Sequence, residues 1–104
     1  LVYATGPKDV SKLPANIHAR ELHVKKYGVA PGAFYDNAYA ATVALLAAIE
    51  KAGGTDNVDA IMHALRTEYV DTPIGRIKFD DKGDAEGIGF SIYKVEGGDF
   101  VEQK

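Results

Sequence analysis

The order of patterns along the 104 residues predicts an α/β or α+β fold: a strand, three helices, a strand and then a strand hairpin. Three observations carry the prediction. Helical periodicity dominates the first two thirds and stops repeatedly at glycine, period-two alternation takes over after Pro73, and Gly97-Gly98 separates two short β-favouring runs. These strands are too few for a complete doubly wound sheet.

Residues 1–5 are short and β-favouring, and Gly6-Pro7 marks their end, so they read as a strand entering a turn or crossover. After Pro14, residues 15–27 place Ile17, Val24 and Tyr27 on one helical face among many charges and end at Gly28, which predicts a surface helix. Residues 33–52 are nearly all apolar from Ala38 to Ile49, with Tyr39, Val43, Leu45, Leu46 and Ile49 covering two faces before Gly53-Gly54; this is the best helix, expected to be buried on more than one side. Thr55 is placed to cap a third helix, where Val58, Ile61, Met62 and Leu65 follow the i, i+3, i+4, i+7 rule and the end charges suit the helix dipole. Arg76, Ile77, Lys78 and Phe79 alternate as a strand with one buried face, and residues 80–84 read as a turn. Residues 90–95 and 99–102 flank the two-glycine hairpin signal. Neither an internal repeat nor a low-complexity tract interrupts this order.

Composition excludes several function classes. An apolar fraction of 46% with 26% charged residues is ordinary for a globular chain, which rules out disordered and collagen-like classes. A net charge of -3 supplies no field that would attract phosphates, so nucleic acid is not an expected partner. With no cysteine, disulfides, thiolate catalysis and thiolate-bound zinc are absent together, and the redox compartment is left open. No apolar stretch reaches the roughly 18 residues of a membrane span. The opening residues lack the basic region of a signal peptide and begin inside a strand-like run, which leads us to expect further sequence upstream.

Candidate chemical sites fail on spacing. His18 and His23 are five apart and face different sides of a helix, and His63 has only Asp59 one turn before it, so all three read as surface histidines rather than zinc ligands. The acidic turn at 80–84 carries Lys82 where a calcium loop needs its second acidic ligand, and Ser91 stands where that loop needs its bidentate glutamate. Gly83, Gly87 and Gly89 neither form Gly-x-Gly-x-x-Gly nor open a helix. No nucleophile stands at an informative distance from a base. We therefore expect a chain that is not an enzyme and that carries no catalytic residue, metal or cofactor.

Two stretches carry a family resemblance: Pro31-Gly32-Ala33-Phe34-Tyr35-Asp36-Asn37-Ala38-Tyr39-Ala40-Ala41 and, more specifically, Val70-Asp71-Thr72-Pro73-Ile74-Gly75-Arg76-Ile77-Lys78-Phe79-Asp80-Asp81-Lys82-Gly83-Asp84. The chain resembles, essentially from end to end, the last third of the type I periplasmic binding proteins for branched-chain amino acids. The resemblance implies an α/β class: a C-terminal fragment of a fold with two lobes joined by three crossover strands, the ligand being held in the cleft between them. On that mapping residues 1–9 are a second-lobe strand and crossover, residues 10–86 are part of the first lobe, and residues 87–104 are a crossover and the C-terminal hairpin of the second lobe.

Phe34 by pattern alone reads as a core aromatic at the head of an apolar helix. The resemblance instead makes it a ligand-binding residue, whose flat ring packs on the side chain of leucine, isoleucine, valine or a similar small amino acid without demanding a hydrogen bond. Tyr35, Asp36 and Asn37 stand beside it, but residues at helix starts usually cap the backbone or face water, so they are left out of the site. The groups that hold the ligand's charged ends lie mostly in segments this chain lacks. The implied partners are the amino acid, an ABC transporter permease, and either the remainder of the binding protein or another copy of this chain; the implied location is periplasmic. The same fold also serves as the ligand-sensing domain of receptors and regulators. Expressed alone, the chain is expected to expose sheet edges and apolar helix faces and to self-associate.

Overall fold

Residues 1–103 are described by a computed structural model, and they form two separate three-stranded sheets joined through three helices. Lys104, the last residue of the expected hairpin segment, lies outside the described residues. The elements in chain order are β1 (Tyr3–Pro7), α1 (Pro14–Tyr27), α2 (Tyr35–Ala52), α3 (Val58–Thr67), β2 (Val70–Thr72), β3 (Gly75–Phe79), β4 (Ala85–Glu86), β5 (Phe90–Glu96) and β6 (Asp99–Gln103).

The first sheet joins the two ends of the chain. Its order is β1-β5-β6, all antiparallel, and the register places Thr5 opposite Ile92 and Tyr93 opposite both Ala4 and Glu102. The first strand runs over Tyr3–Pro7 rather than residues 1–5, so Gly6-Pro7 lies inside it. Proline is tolerated there because β1 is an edge strand, where the missing N–H faces no neighbour. Gly97 and Gly98 both have positive φ, 60° and 83°, which is the backbone a tight two-residue hairpin demands.

The second sheet, β2-β3-β4, carries two strands that periodicity did not reveal. β2 has three residues and β4 only two, below the length at which alternation is visible in a sequence. β2 and β3 form a hairpin around Pro73 and Ile74, with Thr72 opposite Gly75. The Thr72 hydroxyl donates to the Gly75 carbonyl at 2.6 Å and accepts the Ile74 N–H at 3.3 Å, so the Thr-x-x-Gly motif is a turn staple. The residues 80–84 turn is also built from its own side chain: Asp80 Oδ1 accepts the N–H groups of Lys82 and Asp84, each at 2.9 Å. Gly87, where β4 leads toward β5, has φ 95° and passes so close to β3 that a Cβ would overlap the Arg76 carbonyl oxygen; only glycine fits.

Helices α2 and α3 pack on each other and on this second sheet. The contact is made by Ala40, Ala44 and Ala48 of α2, Ala64 of α3 and Ile77 of β3, all buried. Alanines at four-residue spacing form one narrow stripe that lets the backbones approach closely. The expectation that α2 is buried on more than one side is corrected here, because Leu45 and Leu46 are exposed. In α1 the face built on Ile17, Val24 and Tyr27 is likewise exposed, and Asn16 and Ala19 are the buried residues. α2 starts at Tyr35, two residues later than expected, because Phe34 departs from helical geometry. The cap of α3 is Asn57, not Thr55: its backbone is extended and its Oδ1 accepts the Ala60 N–H at 3.1 Å.

The radius of gyration is 16.1 Å, whereas a compact domain of this length has about 13 Å. The difference arises because the two sheets share no common core. Both faces of the first sheet stay open: Phe90 and Ile92 are exposed on one side and Phe100 on the other. The 104-residue chain expressed alone is therefore expected to sediment, at micromolar concentration, as species heavier than 11.2 kDa. A monomer that melts in one cooperative step would contradict this.

Candidate functional site

Two short connections, one following β1 and one preceding β5, run between the sheets, and Lys8 N–H donates to the Gly89 carbonyl at 2.9 Å where they pass each other. A groove of about 460 Å³ opens beside them, lined by Pro7, Lys8, Asn37, Ile74, Ile88 and Phe90 among others. Its walls come from both sheets and from the first turn of α2. Asn37, set aside in the sequence as a capping or solvent-facing residue, lines this groove.

Phe34 lies at the head of the same helix, and it is not a core aromatic: the residue is 82% exposed. It is also the one non-glycine residue with positive φ, 65°, among the described residues. A left-handed backbone costs a β-carbon residue about 1–2 kcal/mol. Strain together with an exposed apolar ring is a combination that folding alone does not favour. Phe34 does not line the groove; it projects from the N-cap position, with its carbonyl accepting the Ala38 N–H at 2.9 Å.

Its two neighbours are tied to α1. The Tyr35 hydroxyl donates to the Ala19 carbonyl at 3.1 Å, and Arg20 Nη1 lies 2.9 and 3.1 Å from the two carboxylate oxygens of Asp36. His23 and His63, candidates only on residue type, lie apart on α1 and α3. The His23 ring stacks near Tyr27 and Tyr35 and its Nδ1 is 3.0 Å from the Val29 carbonyl, while the backbone carbonyl of His63 accepts the Thr67 hydroxyl.

Next along the chain from Pro7 and Lys8, a polar clasp holds the connection after β1. Glu102 Oε2 accepts the Asp9 N–H at 2.9 Å and lies 3.5 Å from the Tyr93 hydroxyl, which itself donates to the Pro7 carbonyl. The bond from the Asp9 N–H, reinforced by Ser91, holds the Glu102 carboxyl below the ordinary glutamate range. Desolvation and the Glu102 charge push the Tyr93 phenol up. Asp9 is lowered as well, chiefly because its carboxylate accepts the Ser11 N–H at 2.9 Å.

Comparison with known proteins places this arrangement. Residues 2–99 match the family profile described as periplasmic binding protein. The chain belongs to that family. It is 36% identical over 98 residues to a Leu/Ile/Val-binding protein of Rhizobium johnstonii, covering 93% of this chain and 26% of that protein. It is 33% identical over 91 residues to the leucine-, isoleucine-, valine-, threonine- and alanine-binding protein of Pseudomonas aeruginosa, covering 88% of this chain and 24% of that one. Among solved structures it superposes on a leucine-binding protein of Thermotoga maritima with a TM-score of 0.73 and 26% identity, over 99% of this chain and 30% of the other. The chain thus spans about a quarter of the length of the curated relatives it matches.

For this member of the periplasmic binding protein family, the α/β fold matches a fragment of the type I architecture that the resemblance implied. No helix among the described residues is long and apolar enough to cross a membrane. The sequence singles out Phe34, which the structure leaves exposed outside the groove, and sets aside Asn37, which lines it; it gives no hint of the Glu102 clasp. The clasp joins residues 93 positions apart and leaves no local signal.

In the full-length protein, Phe34→Gly is expected to raise the free energy of unfolding by about 1 kcal/mol, because glycine adopts this φ without strain; chemical denaturation measures it, and a loss of stability would contradict the strained, exposed reading. Because the folded Glu102 pKa is depressed, its contribution is complete above the ordinary glutamate pKa and is lost as pH falls through the lower folded value. The Asp9 amide proton in an NMR titration should therefore shift with a midpoint below the ordinary glutamate range, and Glu102→Gln should abolish that component. An Asp9 amide that titrates identically in both proteins would rule the clasp out.

Proposed function

We propose that this chain is a segment of an extracytoplasmic solute-binding protein that captures a branched-chain or similar small amino acid between two lobes. In the full-length, periplasmic protein the loaded form delivers that amino acid to the permease of an ABC importer. The observation that carries the reading is the strained, exposed Phe34 ring at the head of α2, the helix whose first turn lines, through Asn37, a groove between two separate sheets. An apolar ring kept in water at a conformational cost has a use when an apolar ligand covers it.

The division into lobes follows the same logic. Residues 10–86 contribute to the first lobe, while residues 1–9 and 87–104 contribute a strand, two crossovers and a hairpin to the second. The separate sheets and the two thin connections favour this division, since a hinge needs few backbone contacts between the bodies it joins. The remainder of the longer protein covers the exposed faces of α1, α2 and the first sheet, and it supplies the groups that bind the ligand's ammonium and carboxylate. Closing the lobes on the ligand shifts a population between open and shut forms by the difference in contacts made in each.

Relatives named for leucine, isoleucine and valine binding support the ligand class. Calorimetric titration of the full-length protein should give binding of these three amino acids, and Phe34→Ala should weaken it about tenfold or more through lost apolar contact. Binding that is unchanged by Phe34→Ala would remove Phe34 from the site. Absence of binding for all three would refute the ligand class.

A further inference from the structure

We infer that Arg20 and Tyr35 are positioning residues for Phe34, so that helix α1, which does not reach the ring itself, sets how the ring faces the ligand. This rests on Phe34 being a ligand contact. The left-handed backbone at Phe34 would relax to negative φ if its surroundings allowed it. Relaxation is opposed from the C-terminal side, where its carbonyl is committed to the Ala38 N–H and the next two residues are held by α1.

Those holds are specific and differ in kind. The Tyr35 hydroxyl reaches the carbonyl of Ala19, which is 2% exposed, and the ring is set edge-on to His23 at 5.0 Å. Arg20 Nη1 bridges both oxygens of Asp36, with the two side chains 37% and 23% exposed. Neither contact touches residue 34. Moving the Phe34 Cα, and its ring with it, by shifting the start of α2 displaces Tyr35 and Asp36, so both contacts oppose it. A partly exposed ion pair contributes little to global stability, yet it can decide between two local backbone states that are close in energy.

The test is a double-mutant cycle in the full-length protein, read by calorimetric titration of leucine and alanine. Arg20→Met is expected to weaken leucine binding about threefold to tenfold. Alanine, whose short side chain draws little from an aromatic wall, should lose less, so the ratio of leucine to alanine affinity falls. In a Phe34→Ala background Arg20→Met should have no further effect. Tyr35→Phe, which removes only the tethering hydroxyl, should lower the same ratio and serves if Arg20→Met does not fold. Equal losses for leucine and alanine, an effect that persists in the Phe34→Ala background, or no effect of either substitution would each overturn the inference. Phe34→Ala leaving leucine affinity unchanged would instead refute the ligand-contact reading on which it rests, so the two failures are distinguishable.

Discussion

Antiparallel pairing of β1 with β5 brings together residues near opposite ends of the chain, with Tyr3 opposite Lys94 and Pro7 opposite Phe90. Everything between them, three helices and a second sheet, is thereby closed into one long excursion that leaves and returns at adjacent points. The Lys8–Gly89 hydrogen bond continues the pairing one step past the last register position, and the Glu102 carboxylate then takes up the Asp9 N–H. Without this closure the groove beside the connections would have no second wall. Closing so long a loop is entropically costly, and a sheet with few buried side chains offsets it poorly.

The second sheet is held by a different device. Alanines on α2 and α3 bring helix backbones close to β2 and β3, and Ile77 is the one larger apolar side chain fully enclosed there. Small residues at a contact favour proximity over buried area. Large apolar groups such as Leu45, Leu46 and Ile17 are left on outward faces. The helix that looks most like a core element is thus a two-sided element with only one side occupied within this chain. Positioning at the head of α2 follows from the same geometry: α1 holds that end through Arg20, which pairs with Asp36, and through the Ala19 carbonyl, which accepts the Tyr35 hydroxyl.

Local signals were legible wherever a structure is decided within a few residues. Pro14 and Gly28 bound α1 as expected, Gly53 closes α2, Gly97-Gly98 makes the hairpin, and Asp80 builds its own turn. Misplacements occurred where two local solutions compete. Asn57 and Thr55 are both good N-cap residues, and Gly6-Pro7 can end a strand or lie at its edge. β2 and β4 escaped because strands of three and two residues carry no period. Phe34 stands out as a candidate only through the two family-like stretches, and periodicity, which favours a core aromatic, is contradicted by its exposure.

The sequence by itself determined the three helices, the turns and the hairpin, since each rests on i+3, i+4 or adjacent-residue energetics, and it carried enough family pattern to indicate the α/β class. Tertiary structure alone decided the pairing of β1 with β5, the left-handed backbone of Phe34, the Arg20–Asp36 brace and the Glu102 clasp. Each of these is a compromise between segments distant along the chain. Its energy depends on whether both segments are held in place by other contacts, and local sequence does not encode that condition.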